Sequence, residues 1–180
     1  MRIIAGKLCG RKLSVPAGRK VRPTGDRMKE SMFSALGDTC SGAAVLDLFA
    51  GSGALGLEAL SRGAASVTFV EKSRIVIRSL KENVRLLGVE ADCNVICAGV
   101  FPFLANLKKS EDYDLVFADP PFASGFAKKV FSWWLEHHCK GSILVLECPE
   151  NIITLPGNIP VRRLKTARFG ESSYSIYLAE

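Results

Sequence analysis

Ala43-Ala44-Val45-Leu46-Asp47-Leu48-Phe49-Ala50-Gly51-Ser52-Gly53-Ala54-Leu55-Gly56 is the stretch whose reading decides the fold. From Ala43 to Phe49 only Asp47 is polar, so the run reads as a strand buried on both faces. A glycine-rich turn ends it at Ala50-Gly51-Ser52-Gly53, and a helix through Leu55, Leu57, Ala59 and Leu60 follows. Strand, tight turn and helix in that order are the opening of a β-α-β unit.

Downstream the alternation continues. Ser66 to Glu71 is a second strand, and a basic amphipathic helix runs from about Ser73 to Leu87. Asn94 to Cys97 is a third strand and Tyr113 to Ala118 a fourth, ending at Asp119-Pro120-Pro121-Phe122. A helix over about Gly125 to His137 leads to a fifth strand, Ser142 to Glu147. Two further strands, Val161 to Thr166 and Ser173 to Leu178, turn at Phe169-Gly170. Such alternation predicts an α/β fold with a mostly parallel sheet. Ligands in such folds bind at the carboxyl ends of the strands, beside the point where strand order reverses. Both the glycine turn and Asp119 to Phe122 fall there.

Upstream, Met1 to about Val21 has two short apolar stretches among glycines and basic residues, which suits a small hairpin or extended arm. Arg22-Pro23-Thr24 is extended before its proline. A helix starts near Asp26, with Met28, Met32, Phe33, Ala35 and Leu36 at helical spacing.

With 180 residues, 48% of them hydrophobic and 23% charged, the chain has the makings of one globular domain. No apolar run reaches the roughly 18 residues that span a membrane, and the N-terminus has no signal-peptide core. No membrane partner is expected, and a cytoplasmic location is. The six cysteines form no C-x-x-C pair, and His137-His138-Cys139 lacks a second ligand group, so neither a disulfide framework nor a metal is expected. The net charge of +6 is unevenly spread: residues 1–29 hold nine basic side chains and one acid, a net +8. Such a concentration suits a polyanion, because each neutralised phosphate releases counterions. The same charges could also merely solvate a tail.

Gly51-Ser52-Gly53-Ala54-Leu55-Gly56 has the G-x-G-x-x-G spacing, and Glu71 ends the second strand 20 residues after Gly51. Glycines let a backbone approach a nucleotide cofactor, and the acid suits ribose hydroxyls. That pattern alone does not separate NAD from S-adenosylmethionine. Asp47, four residues before Gly51, tips the choice. A carboxylate there repels a pyrophosphate but attracts an ammonium and a sulfonium. Asp119-Pro120-Pro121-Phe122 suits chemistry on an amino group attached to an aromatic ring. The Asp119 carboxylate and Pro120 carbonyl can accept its two N–H bonds, which turns the nitrogen lone pair towards a methyl donor. The prolines stiffen the loop, and Phe122 can stack on an extruded base.

Leu46 to Ala64 and Asp119 to Phe122 resemble the RsmD family, bacterial 16S ribosomal RNA guanine-N2 methyltransferases. Arg2-Ile3-Ile4-Ala5-Gly6, Gly10-Arg11-Lys12-Leu13, Arg22-Pro23-Thr24-Gly25-Asp26-Arg27, Lys165 and Tyr174-Ser175-Ile176-Tyr177 extend the resemblance over nearly the whole chain. The glycine loop and D-P-P-F are common to many amino methyltransferases, whereas the R-P-T-x-D-R segment is more particular to this family.

The resemblance implies a Rossmann-like, seven-stranded class I methyltransferase fold with a small basic N-terminal arm. Residues 1–25 would be the extension and 26–180 the catalytic core of a single domain. It implies S-adenosylmethionine held by Asp47, Phe49, Ala50, Gly51, Ser52, Gly53, Glu71, Lys72, Gly99 and Val100. Asp119, Pro120, Pro121 and Phe122 would form the catalytic loop. Arg11, Lys12, Arg22, Thr24 and Arg27 would bind 16S ribosomal RNA, within the small subunit or an assembly intermediate, the enzyme acting as a monomer. After the third strand, where such enzymes often read adenine with Asp or Asn, this chain has Cys97-Ala98-Gly99-Val100. Backbone groups there are expected to serve instead. The rival readings are adenine-N6 methylation of DNA or RNA, a catalytically silent RNA-binding or assembly protein, and an NAD-dependent oxidoreductase. Asp47 disfavours the last, and the intact acid and prolines disfavour the silent binder.

Overall fold

The computed structural model describes residues 1–15, 24–107, 113–121, 125–149, 152–155, 157 and 159–180. Arg22 and Phe122, both expected at the site, lie outside them, as do Arg19 and Lys20 of the basic arm.

Seven strands form one sheet: β1 (Ala44–Leu48), β2 (Ser66–Glu71), β3 (Cys93–Cys97), β4 (Leu115–Ala118), β5 (Ile143–Glu147), β6 (Val161–Phe169) and β7 (Ser172–Ala179). Their order is β3-β2-β1-β4-β5-β7-β6. The first five run parallel, and β7 pairs antiparallel with β5 and with β6. Central strands of a parallel sheet are covered on both faces and must be apolar throughout. Accordingly every residue of β4 and β5 is buried. The order reverses between β1 and β4, so their carboxyl ends open a crevice.

The α-helices among the described residues are α1 (Thr24–Leu36), α2 (Ala54–Ser61), α3 (Arg74–Leu87), α4 (Val100–Asn106) and α5 (Phe126–His137). One core cluster packs α1, α2 and α3 against Val45, Phe69, Phe117 and Val145. The other packs α4 and α5 against Leu46, Leu48, Val116, Leu144 and Leu146. Side chains alternate between the faces along each strand. Asp47 therefore follows Val45 onto the α2 face, Asp119 follows Phe117, and Glu147 follows Val145.

Helix α4 was not expected from the sequence. Pro102 lies in its first turn, where a helix has no N–H bond to lose, so the proline does not break it. Helix α1 starts two residues before the expected Asp26, and β6 and β7 outrun their expected ends.

The N-terminal arm is a hairpin built into the core. Arg2 and Lys12 form an antiparallel bridge, and Ile3 and Leu13 are buried. Two polar staples fix it. Asn83 of α3, 1% exposed, accepts the Ser14 N–H at 2.7 Å and donates to the carbonyls of Ser14 and Ser52. Glu58 of α2, fully buried, accepts the N–H groups of Ile4 and Ala5 at 2.8 and 3.0 Å. The same carboxylate pairs with Lys29 of α1 and with Arg62, each at 3.0 Å.

Candidate active site

The turn after β1 is shaped by backbone conformations that side chains rarely adopt. Gly51 has φ 56° and Gly53 φ 80°, the left-handed region open to glycine. Phe49 has φ 61°, the one non-glycine residue there among the described residues. A bulky residue so placed costs about 1–3 kcal/mol, and such strain gathers at functional sites. Its ring stacks on Phe126 of α5 at 5.9 Å and meets Phe101 of α4 edge-on, giving an aromatic wall.

Two carboxylates hold the turn from beneath. Asp47 Oδ2 accepts the Gly56 N–H at 3.0 Å, at the open N-terminus of α2. Glu71 accepts the Gly51 N–H at 3.1 Å with one oxygen and the Ser73 N–H at 2.8 Å with the other. A carboxylate oxygen has two lone pairs, so each oxygen of Glu71 retains one for a further donor. Burial pushes the Asp47 carboxyl up to about 8; the Gly56 bond opposes this, and the charges of Asp119 and Glu71 add to it.

Above these groups lies a cavity of about 640 Å³, within the range of small-molecule sites. Of the residues expected on the cofactor, Asp47, Phe49, Ala50, Gly51, Ser52, Glu71, Lys72, Gly99 and Val100 line it. Gly53 does not line it. A Cβ on Gly53 would meet Leu80 Cδ1 at 2.3 Å, and one on Gly56 would meet Phe69 and Val67. These two glycines allow the turn to pack on α3 and β2, a different reason from approach to a ligand. Asp119, Pro120 and Pro121 line it as well.

The basic arm is partly committed elsewhere. Lys29 is 4% exposed and neutralised by Glu58, and Arg2 lies 3.5 Å from Asp26. Arg11 donates to the Leu86 carbonyl at 2.8 Å while staying exposed. Lys12 and Arg27 are exposed and off the cavity wall. Thr24 opens α1, whose first turns contribute Gly25, Asp26, Met28 and Lys29 to that wall. A net +8 therefore overstates the positive surface available to a polyanion.

The sequence reading missed Glu147 and Ser172, which also line the cavity. Glu147 carries the same signal as Asp119, an acid at the carboxyl end of an apolar strand. No helix among the described residues is long and apolar enough to cross a membrane.

The pattern of the conserved hypothetical protein 95 family matches residues 1–178. The chain is 39% identical over its full length to ribosomal RNA small subunit methyltransferase D of Escherichia coli K12, covering 90% of that protein. It is also 39% identical to the protein of that name from Haemophilus influenzae, over 98% of this chain and 93% of the other. The solved structure of yhhF from Escherichia coli matches with TM-score 0.87 at 34% identity, covering 100% of this chain and 98% of that one.

Proposed function

Since the chain belongs to the conserved hypothetical protein 95 family, the RsmD family, we propose that it methylates the exocyclic N2 amino group of a guanine in 16S ribosomal RNA, with S-adenosylmethionine as donor. The observation that carries the reading is the meeting of Asp119-Pro120-Pro121 with Asp47 and Glu71 around one cavity. One half of that cavity suits a cationic nucleoside and the other an aromatic amine.

The donor supplies an electrophilic methyl group on a sulfonium. Glu71, already oriented by two backbone N–H groups, accepts hydrogen bonds from its ribose hydroxyls. Asp47, ionised once a cation lies beside it, would set a negative charge near its amino-acid end, with Phe49, Lys72 and the backbone at Gly99 and Val100 holding the rest of the donor. Asp119 and the Pro120 carbonyl hold the two hydrogens of the target amine, so its lone pair faces the methyl carbon. Transfer would form the N–C bond as the S–C bond breaks, leaving the neutral thioether S-adenosylhomocysteine, and the proton lost from the amine would pass to the Asp119 carboxylate and from there to water. Most of the acceleration then comes from positioning.

Arg11, Lys12 and Arg27, with Arg22 and Thr24, contact the RNA in this reading. It places the chain in the cytoplasm, acting as a monomer on the small ribosomal subunit or its assembly intermediates.

Calorimetry tests the donor half. S-adenosylhomocysteine is expected to bind and NAD is not, and Glu71→Ala is expected to weaken binding by about 1.5–3 kcal/mol. A cation beside Asp47 favours its ionised form, so donor binding releases a proton and affinity rises with pH up to about 8. Saturable NAD binding with no heat from S-adenosylhomocysteine would overturn the reading.

A further inference from the structure

We propose that Glu147 selects guanine, its carboxylate accepting the N1–H of the base whose N2 amine is held by Asp119 and Pro120. This rests on the methyltransferase reading above and adds to it the group that discriminates between bases.

The sheet sets the geometry. In the β4–β5 pairing Ala118 lies opposite Leu146, so Asp119 and Glu147 leave the sheet as the next pair. Both belong to the face that carries Phe117 and Val145, and neighbouring strands lie about 4.8 Å apart. Both line the same cavity, and β5 lies beyond β4 as seen from β1 and β2, so Glu147 stands farther from Glu71 than Asp119 does. Glu147 is 8% exposed, and its backbone is held firmly. It stands opposite Tyr174, the Cys148 N–H donates to the Ser173 carbonyl at 3.1 Å, and the Ser173 hydroxyl donates to the Cys148 carbonyl. A carboxylate on so rigid a platform suits recognition of one fixed edge.

The chemistry of the bases supplies the selection. Guanine presents N1–H and the N2 amine side by side, a row of donors matched by a row of acceptors from Pro120, Asp119 and Glu147. An adenine with its N6 amine at Asp119 presents the N1 lone pair beside it. That lone pair would meet the Glu147 oxygen, acceptor against acceptor, a repulsion that rejects the wrong base. Sites built to bond a donor discriminate strongly against analogues that lack it.

The test uses methyl transfer to small-subunit RNA and to RNA with 2-aminopurine at the methylated position. 2-Aminopurine keeps the 2-amino group but has no N1–H. Wild type is expected to favour guanine over 2-aminopurine by roughly tenfold to a hundredfold, the range for one hydrogen bond to a charged group. Glu147→Gln is expected to lose most of that preference, because its amide N–H can donate to N1 of 2-aminopurine. Unchanged affinity for S-adenosylhomocysteine shows that the variant is folded. Equal rates on the two bases with wild type, or an undiminished preference in Glu147→Gln, would overturn the assignment while leaving N2 methylation intact. Failure of wild type to methylate guanine would remove both.

Discussion

Asp119→Ala is expected to keep its affinity for S-adenosylhomocysteine and for RNA while losing on the order of 10²-fold or more in methyl-transfer rate. An aromatic amine is a poor nucleophile because its lone pair is shared with the ring. In the proposed mechanism Asp119, which lines the cavity just past the end of β4, holds one N–H and restores that lone pair. That interaction strengthens as the nitrogen becomes tetrahedral, so its loss falls on the transition state and spares binding. Asp119→Asn, whose amide oxygen still accepts, is expected to retain part of the rate. Single-turnover assays at saturating donor and RNA read the difference. Full activity in Asp119→Ala would remove the proposed role.

Glu58→Ala is expected to cost about 3–5 kcal/mol of stability, read as a shift in the urea midpoint at unchanged slope. Its carboxylate is fully buried and serves Ile4, Ala5, Lys29 and Arg62 together. Removing it strands the Lys29 ammonium in the interior and orphans two backbone N–H groups. Domains are stable by only about 5–15 kcal/mol, so the variant would sit close to unfolding. Glu58→Gln retains an acceptor for the N–H groups and is expected to lose less. A change below 1 kcal/mol in Glu58→Ala would show that hairpin, α1 and α2 are held together by apolar packing alone.

These two acids differ in how far the sequence announced them. Asp119 stands between an apolar strand and two prolines, a local pattern with a local chemical meaning. Glu58 lies inside a short helix that is apolar nearly all round, and apart from Arg62 its partners are 29 to 54 residues away in the chain. Only tertiary packing brings them together. Lys29, counted among the nine basic residues of the arm, is buried against Glu58, and nothing in its basic neighbours announces that burial.

The strands were legible because a buried parallel sheet demands unbroken apolar runs, as in Ile143–Glu147. Helix α4 was hidden by Pro102, whose tolerance depends on its place in the first turn. The acids Asp47 and Glu71 were legible by their spacing from the glycine turn. Their bonds to Gly56 and Gly51 were not, because spacing shows which groups can meet and not which atoms do. Gly53 and Gly56 matched a ligand-binding spacing, yet their missing side chains make room for Leu80 and Phe69.

The central claim, methylation of guanine N2 in small-subunit ribosomal RNA, is tested most directly by the modified nucleoside itself. Purified protein is incubated with S-adenosylmethionine labelled in its methyl group and with small-subunit RNA or assembly intermediates from cells lacking the protein. The RNA is then digested to nucleosides, separated and identified by mass spectrometry. The label is expected in N2-methylguanosine. Label in N6-methyladenosine instead, or no label in RNA, would contradict the claim.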